Sequence, residues 1–258
     1  FIFDCVVNIE SWMVKKGILD DFFDCALAAL LKQKSDQNKV ILTFLQRLQA
    51  KGITPKHMQI IVRVDNAGEN KVLKDYLTSN GFANVEFEFA ARSSPQHNGR
   101  VERKFPTIWS RVRAMLNTAK LPQVLRSGLW PRTFTHAALL ENIIVPRRKN
   151  KSSYHLFHGK DYKGLNNLHV FGEMAVIKGP NKIQSKLKNK GQIVMHCGVA
   201  PDHASDCYTF LNIKTKKFIE SRDANLWLNQ TYGEYFDAES VVNGKKLGTK
   251  RIIYVDRK

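Results

Sequence analysis

The sequence predicts a mixed α/β domain followed by a small antiparallel β domain. In the first half, short apolar runs alternate with segments whose apolar residues repeat at helical spacing, in the order three strands, helix, strand, helix, strand and helices. From Leu168 onward the apolar runs are short and separated by turn residues, which is typical of a small antiparallel barrel. A chain of 258 residues is long enough for one sizeable core and a second, smaller module.

The first three strands are predicted near the start of the chain. Residues 1–7 and 12–19 are expected to form a hairpin that turns around residues 8–11, and residues 25–31 are expected to form the third strand. Ser35 is a good N-terminal cap for the helix that follows. The apolar face of that helix comprises Ile41, Phe44, Leu45 and Leu48.

A strand at residues 58–64, a helix at residues 69–80 and a strand at residues 85–91 complete the central part of the predicted domain. Gly81 is expected to end the helix, because glycine readily adopts the left-handed conformation found at helix C-termini. The inward-facing positions of this helix are expected to be Val72, Leu73, Tyr76 and Leu77.

Two long helices are predicted next. In the first, apolar residues recur at steps of four and three, which is the spacing of a helix packed on a core. These residues are Val101, Phe105, Ile108, Val112, Met115 and Ala119. The second helix follows Pro122 and ends at Pro146, and we assign Trp130 to its buried face rather than to a surface that stacks on bases. Its other apolar residues are Leu129, Phe134, Ala137, Ala138 and Leu140.

Two acidic residues stand at the ends of predicted elements. Asp65 directly follows the strand at residues 58–64, and Glu102 lies one turn into the first long helix, with 36 residues between them. Carboxylates in such positions can converge on one divalent metal, and Mg²⁺ prefers hard oxygen ligands. Simpler roles are a turn-forming Asp65 and a Glu102 that the helix dipole favours in a first turn.

The charge of the chain indicates a polyanionic partner. Lys and Arg number 41 against 23 Asp and Glu, which gives a net charge of +18. Between residues 100 and 151, 12 basic residues face only two acidic ones, Glu102 and Glu141. Ribosomal and anionic-membrane-binding proteins share a high positive charge, and the same residues also suit a solvated helix face, so the placement of charge beside the carboxylates is what favours a phosphodiester substrate.

Two motifs carry a family resemblance. RVDNAGEN at residues 63–70 and SPQHNGRVERK at residues 94–104 resemble the Asp-Asn-Gly-Gly-Glu and Thr-Pro-Gln-Gln-Asn-Gly-x-x-Glu-Arg signatures of the integrase encoded by copia-type LTR retrotransposons, relatives of retroviral integrases. The resemblance continues to about Tyr235. It implies a ribonuclease-H-like mixed sheet flanked by helices, with which the predicted element order is compatible, followed by a small antiparallel Src-homology-3-like β-barrel.

The resemblance implies a polynucleotidyl transferase that performs metal-dependent DNA 3′-end processing and strand transfer, and so inserts element DNA into target DNA. The implied catalytic and metal-binding residues are Asp4, Asp65 and Glu102. Asp4 and Asp65 would bind one Mg²⁺ or Mn²⁺ ion, and Asp4 with Glu102 a second. Asp4 precedes Asp65 by 61 residues, close to the family's separation, although Asp20 and Asp21 compete with it as the first ligand.

The resemblance also implies double-stranded DNA as the partner, both element ends and target. The candidate DNA-binding residues are Gln96, Asn98, Arg100, Arg103, Lys104, Arg147, Arg148 and Lys149. The family further implies a homo-oligomer and action in the nucleus after synthesis in the cytoplasm as part of a polyprotein. The sequence has no 18-residue apolar run and no signal-peptide pattern, so we expect no membrane association. An upstream zinc module is expected from the family and is not among these residues, and we expect the chain to be a piece of a longer product.

Several residues depart from the family pattern. Pro106 lies four residues after Glu102 and removes the backbone hydrogen bond to its carbonyl, at a typical cost of about 3 kcal/mol inside a helix. Val64 and Ala67 replace the usual Ser and Gly of the first motif. These departures favour an alternative function, a catalytically inactive DNA-binding remnant. A nuclease acting on RNA–DNA hybrids is a third function, which the second motif and the barrel disfavour.

Four domains and segments are predicted: the catalytic core at residues 1–146, a basic linker at 147–166, the small barrel at 167–228 and a basic tail at 229–258. The barrel keeps the family's Phe-Gly and Ser-Arg-Asp features at residues 171–172 and 221–223, but has Val199 where Tyr is expected. The cysteines, Cys5, Cys25, Cys197 and Cys207, have no Cys-x-x-Cys spacing and are expected to be reduced structural thiols. Zinc binding by the last two with His196 and His203 is disfavoured by their spacing.

Overall fold

The computed structural model describes residues 8–11, 25–26, 36–50, 60–64, 68–89, 99–179, 191–200 and 203–242. It divides the chain into two compact units. Unit 1 comprises Phe1–Ile108 and Ala138–Asp161, and unit 2 comprises Trp109–Ala137 and Tyr162–Lys258. The described residues form a mixed α/β structure with a five-stranded antiparallel sheet, which confirms the predicted fold class. The ribonuclease-H-like topology, the closure of a barrel and the domain boundaries read from the sequence stay predictions.

A three-stranded mixed sheet organises unit 1. Its strands are β1 (Asn8–Ser11), β2 (Ile60–Val64) and β3 (Val85–Phe89), with β2 in the middle. Strand β1 runs antiparallel to β2, and β3 runs parallel to it. The predicted turn around residues 8–11 is therefore wrong, because those residues form a strand. Pairing with β2 fixes their extended backbone, whereas the polar ends of the segment had suggested a turn.

The parts of the predicted strands at residues 1–7, 12–19 and 27–31 lie outside the described residues. Cys25 and Ala26, which the third predicted strand includes, belong to no helix or strand. Within the described part, strand β2 begins at Ile60 and β3 ends at Phe89; residues 58–59 and 90–91 of the predicted strands lie outside it.

Helices α1 (Asp36–Ala50) and α2 (Gly68–Ser79) supply the rest of the described core of unit 1. The predicted face of α1 is confirmed, since three of its four residues are buried and Phe44 is half-buried; the buried ones are Ile41, Leu45 and Leu48. In α2, Leu73 and Leu77 are fully buried, but Val72 is 59% exposed, so its predicted inward position is wrong. Two leucines four residues apart already cover the core, and Val72 lies about a quarter turn away from them.

The end of α2 follows the predicted pattern. Gly81 has φ of +88°, in the left-handed region. Its amide donates a hydrogen bond to the carbonyl of Thr78, and the amide of Phe82 donates one to the carbonyl of Leu77. Phe82 is buried in the same cluster as Leu77. This glycine therefore turns the chain from α2 toward β3, as the sequence predicts.

Helices α3 (Gly99–Thr118) and α4 (Gln123–Ile143) are the longest elements, and each contributes residues to both units. The predicted buried positions of α3 are confirmed at Ile108, Val112 and Ala119, the last just beyond its end. Helix α3 continues through Pro106, which is exposed. In α4 the buried residues include Leu129, Phe134, Ala137 and Ala138. Trp130 is half-buried, and its ring packs 5.6 Å from that of Trp109, as its assignment to the apolar face predicts.

A short helix, α5 (Ser153–His158), lies within the segment that the sequence assigned to a basic linker. Ser152 caps it, since its hydroxyl accepts a hydrogen bond from the amide of His155 at 3.0 Å. Gly159 ends the helix with φ of +67°. The basic residues of this segment precede the cap, in an exposed turn after α4.

Unit 2 contains the antiparallel sheet, in the order β7-β6-β5-β4-β8. The strands are β4 (Glu173–Lys178), β5 (Gly191–Val199), β6 (Tyr208–Asn212), β7 (Phe218–Ser221) and β8 (Ala224–Thr231). Strands β7 and β8 lie at opposite edges of the sheet. Only residues 222–223 separate them, so the Ser-Arg-Asp feature connects the two edge strands.

The chain forms a helix, α6 (Tyr232–Val242), where the sequence predicted a linker past Tyr235. That prediction is wrong for this stretch. Backbone hydrogen bonds from distant residues fix the start of α6: the amide of Tyr232 donates to the carbonyl of Gly172 at 2.8 Å, and that of Gly233 donates to the carbonyl of Ala119 at 3.1 Å. The rest of the predicted tail, residues 243–258, lies outside the described part.

The described cysteines, Cys25, Cys197 and Cys207, form no disulfide, in agreement with the predicted reduced thiols; Cys5 lies outside the described residues. Within the described part of the chain, no helix has the length and apolar character needed to cross a membrane.

Candidate active site

The residues predicted to bind metal are only partly described. Asp4, Asp65, Gln96 and Asn98 lie outside the described residues. Arg100, Glu102 and Arg103 belong to the first turns of α3, where Glu102 is the fourth residue. The convergence of the three carboxylates therefore stays a prediction, as do the DNA contacts. The structure does describe the strand ends next to Asp4 and Asp65, and the side-chain contacts that hold α3 and α4 near Glu102.

Strand β2 ends at Val64, one residue before Asp65. Asn8, the first residue of β1, pairs with Arg63, so the start of β1 and the end of β2 lie at the same edge of the sheet. Strand β3 ends at this edge too, because Phe89 pairs with Val64 in the parallel ladder. The carboxyl ends of parallel strands are common positions for ligand sites in α/β proteins.

The start of α3 is tied to α4 by an ion pair within unit 1. The Nζ atom of Lys104 lies 3.4 Å from Oε1 of Glu141, and their side chains are only 11% and 16% exposed. Lys104 is a predicted DNA contact, but most of its side chain is covered and its ammonium group has a carboxylate partner. Glu141 is one of two acidic residues among the basic ones of residues 100–151, but no motif in the sequence indicates a role for it.

The residue next to Glu141 makes a second long-range contact in unit 1. Asn142 accepts a hydrogen bond from the amide of Ala26 through Oδ1, and its Nδ2 donates one to the carbonyl of Ala26, each at 2.7 Å. Both residues are 6% exposed. Asn142 therefore satisfies both backbone groups of Ala26 as a neighbouring strand would. No local sequence pattern indicates this contact.

The predicted basic linker begins with an exposed cationic turn. Arg147, Arg148 and Lys149 are all exposed after the end of α4, together with Lys151. The amide of Lys149 donates a hydrogen bond to the carbonyl of Pro146 at 2.9 Å, which forms the turn. Exposed guanidinium and ammonium groups of this kind suit contacts with backbone phosphates, which depend on charge more than on shape.

Unit 2 contains a buried cluster of histidines and aromatic residues. The rings of His136 on α4 and His196 on β5 lie 5.8 Å apart, edge to face. Burial lowers the pKa of His136 to about 4. Burial, and then the charge of His136, lower the pKa of His196 to about 3. His196 donates through Nδ1 to the carbonyl of Val170 at 3.0 Å, because a carbonyl can only accept. Both rings are neutral at pH 7.

This cluster does not form a metal centre with the nearby cysteines. Among the described residues, no group of three His, Cys, Asp or Glu side chains is arranged to hold a metal ion. Burial raises the pKa of the Cys197 thiol to about 12, so at pH 7 Cys197 is a neutral thiol and a poor nucleophile. Asp4 and Asp65 are not among these residues, because they lie outside the described part of the chain.

Comparisons with known proteins give two curated relatives and a structural neighbour. No protein family model matches the chain. It is 28% identical, over 193 residues, to the retrovirus-related Pol polyprotein from transposon TNT 1-94 of Nicotiana tabacum, covering 71% of this chain and 13% of that protein. It is 26% identical, over 221 residues, to the retrovirus-related Pol polyprotein from transposon RE2 of Arabidopsis thaliana, covering 84% and 14%.

Among solved structures, the chain resembles one in the simian T-cell lymphotropic virus intasome in complex with PP2A regulatory subunit B56 gamma. The sequence identity is 12% and the TM-score 0.38, with 82% of this chain and 69% of that chain covered. That TM-score is too low to define the fold. The two curated relatives are informative at the level of sequence, although this chain spans only 13% and 14% of their lengths. The homologues of this chain are therefore retrovirus-related Pol polyproteins of plant transposons, in agreement with the resemblance to the integrase of copia-type elements.

Proposed function

We propose that this chain is the integrase segment of a retrotransposon Pol polyprotein, and that it performs metal-dependent processing of DNA 3′ ends and their transfer into target DNA. The two motifs at residues 63–70 and 94–104 support this proposal, because their order and spacing match the integrase signatures. The similarity to two Pol polyproteins, which covers 71% and 84% of the chain, supports it over a longer stretch than the motifs alone.

The observation that carries the proposal is the strand pairing of β1 with β2. Asn8 pairs with Arg63 in an antiparallel ladder. Asp4 lies four residues before Asn8 in the sequence, and Asp65 lies two residues after Arg63. An antiparallel ladder brings the residues before one strand and those after the other to the same edge. The two aspartates are therefore expected at one edge of the sheet, as a shared metal site requires.

The proposed donor set fits magnesium. Asp4, Asp65 and Glu102 offer only carboxylate oxygens, which Mg²⁺ and Mn²⁺ prefer to nitrogen or sulfur ligands. Bound there, a pair of ions would supply charge stabilisation at the attacking and leaving oxygens of a phosphodiester. The chain's own part is to hold the carboxylates ionised beside dense positive charge and to orient the DNA backbone. For Glu102, the N-terminal position in α3 favours the ionised form.

Double-stranded DNA is the proposed partner. The exposed cations of residues 147–149 would contact backbone phosphates with little sequence preference, and Arg100 and Arg103 in the first turns of α3 are proposed to do the same. Binding is therefore expected to weaken steeply with added salt. We also propose that the active form is a homo-oligomer and that it acts in the nucleus, as the family resemblance implies.

A strand-transfer assay tests the proposal. Purified protein, Mg²⁺ or Mn²⁺, a short duplex with the element's terminal sequence and a plasmid target are expected to give joined products. The variants Asp4→Asn, Asp65→Asn and Glu102→Gln are each expected to abolish joining while leaving duplex binding intact. Asp20→Asn and Asp21→Asn are the matched controls, and loss of joining in either of them instead of Asp4→Asn would reassign the first ligand.

The second candidate function is a DNA-binding remnant without catalysis. Pro106, which lies inside α3, favours it, because a proline there leaves the carbonyl of Glu102 without its helical hydrogen bond. This function predicts duplex binding without joined products. It also predicts that Pro106→Ala restores or raises joining if the proline is the cause. If the Pro106→Ala variant binds DNA and still gives no product, the defect lies elsewhere.

A further inference from the structure

We propose that Glu141 is a positioning residue, which holds the first turns of α3 in place through Lys104 and thereby sets the position of Glu102. The anchoring of α3 concerns described residues alone. Its consequence for Glu102 rests on the proposed function, and the two parts are tested by separate measurements.

The first turns of α3 are weakly held by their own backbone. A helix N-terminus leaves its first amides without helical partners, and α3 begins at Gly99, three residues before Glu102. Pro106 has no amide hydrogen, so the carbonyl of Glu102 lacks the bond that would tie it to the next turn. The segment before Pro106 is consequently more prone to fray than the segment after it, where Ile108 and Val112 are buried.

The ion pair acts within this weak segment. Lys104 lies between Glu102 and Pro106, and its Nζ is 3.4 Å from Oε1 of Glu141. The two side chains are 11% and 16% exposed, so water and salt screen the pair much less than a surface pair. Removing one partner takes away a charge interaction that is largely shielded from water, which costs more than losing an exposed contact.

The other end of the anchor is itself fixed. Glu141 lies on α4 beside Asn142, whose side chain makes two hydrogen bonds with Ala26 at 2.7 Å. The next residue, Ile143, is 7% exposed. Glu141 therefore projects from a part of α4 that is held by buried contacts on neighbouring positions. Because Glu141 is fixed in this way, its ion pair with Lys104 restrains the first turns of α3.

Hydrogen exchange tests the anchoring without any need for catalysis. In Glu141→Gln, amides of residues 103–105 are expected to exchange about tenfold faster than in the wild type, while amides of residues 109–118 keep their rates. The charge-swapped variant, with Lys104→Glu and Glu141→Lys together, is expected to recover most of the protection. Glu220→Gln is the matched control, since Glu220 pairs with His203 on the sheet of unit 2 at 3.0 Å. It is expected to change neither set of rates.

Combining Glu141→Gln with Pro106→Ala tests whether the ion pair compensates for the backbone hydrogen bond that the proline removes. If the ion pair compensates for the missing backbone bond, Pro106→Ala should make α3 less dependent on it. The acceleration caused by Glu141→Gln is then expected to be several-fold smaller when it is combined with Pro106→Ala. Unchanged exchange at residues 103–105 in Glu141→Gln overturns the proposal. So does an equal acceleration on both sides of Pro106, because that outcome indicates a general loss of stability.

Manganese affinity, measured by electron paramagnetic resonance of free Mn²⁺, tests the consequence for Glu102. Glu102→Gln and Glu141→Gln are both expected to raise the Kd about tenfold, and the charge-swapped variant is expected to restore it. If Glu102→Gln weakens binding but Glu141→Gln does not, the positioning role is overturned. If Glu102→Gln has no effect, the proposed metal site fails, while hydrogen exchange still decides the anchoring.

Discussion

Asn142 holds both backbone groups of Ala26, accepting from its amide and donating to its carbonyl at 2.7 Å each. The two residues are 116 positions apart, and both are buried. The contact ties a segment near the start of the chain to α4. Asn142 is next to Glu141 in α4. These two neighbouring polar residues therefore link α4 to the segment at Ala26 and to the start of α3, all within unit 1.

We expect Asn142→Ala to lower the free energy of unfolding by about 2 to 4 kcal/mol, because it leaves a buried amide and a buried carbonyl without partners. Asn142→Asp should be at least as harmful, since a carboxylate cannot donate to the Ala26 carbonyl. Urea denaturation followed by circular dichroism measures the change. Asn150→Ala, at an exposed position, is the control and should have little effect. A loss in Asn142→Ala no larger than that of the control would show that the contact is dispensable.

The buried histidines predict an acid-sensitive unit 2. The pKa values of His136 and His196 are lowered to about 4 and about 3, below the usual value of 6.5. The unfolded chain therefore binds protons that the folded chain excludes. As the pH falls below about 6.5, the unfolded state binds protons that the folded state does not, so the free energy of unfolding decreases. The decrease ends where the folded rings also become protonated, near pH 4 for His136 and near pH 3 for His196. For His136 alone, the loss amounts to about 3 kcal/mol.

The variant His136→Phe checks this directly. Between pH 6 and pH 4.5 it should reduce the slope of unfolding free energy against pH by about 1.4 kcal/mol per pH unit, since one titrating group is removed. Asn150→Ala, at an exposed position, removes no titrating group and should leave the slope near the wild-type value. An unaltered slope in His136→Phe would mean that the ring is protonated, or solvated, in the folded protein.

Gly172 and Gly81 predict different costs for the same substitution. Gly172, in the Phe-Gly feature, has φ of +85°, and an added Cβ would overlap the Cβ of Ala119. Gly81 has nearly the same φ, +88°, with open space around it. We expect Gly172→Ala to cost about 2 to 4 kcal/mol and Gly81→Ala about 1 kcal/mol, the backbone strain alone. Thermal denaturation compares them, and equal costs would contradict the steric argument.

The exposed cations after α4 predict a change in salt dependence. If Arg147, Arg148 and Lys149 each contact a phosphate, replacing all three by Gln should lower the slope of log K against log salt by about 3. Fluorescence anisotropy with a labelled duplex measures it. Replacing both arginines by Lys keeps the charge and should keep the slope. A slope unchanged by the triple Gln variant would remove this turn from the DNA-binding surface.

The sequence was most informative where structure depends on local periodicity. The buried face of α1, the left-handed Gly81 and the burial of Ile108 and Val112 all follow from spacing within one element. Long-range contacts were not predictable in this way. The start of α6 at Tyr232 is fixed by hydrogen bonds to Gly172 and Ala119, and no local pattern near Tyr232 indicates them.

The candidate site shows the same division. The motifs predicted which carboxylates to consider, and the register of β1 on β2 supports their expected position at one sheet edge. The ion pair between Lys104 and Glu141 was not predicted, although the sequence shows that Glu141 is one of few acidic residues in a basic stretch. Counting charges shows that an acidic residue is unusual in this stretch. Only the packing of α3 against α4 within unit 1 shows that Glu141 pairs with Lys104.

The proposed enzymatic activity requires Asp4, Asp65 and Glu102 to share metal ions. The most direct test is a crystal structure of the protein soaked in Mn²⁺, with anomalous diffraction recorded at the manganese edge. We predict one or two anomalous peaks bonded to oxygens of all three carboxylates, and their loss in Glu102→Gln crystals. Three carboxylates too far apart to share a pair of ions, with no anomalous peak among them, would contradict the proposed enzyme.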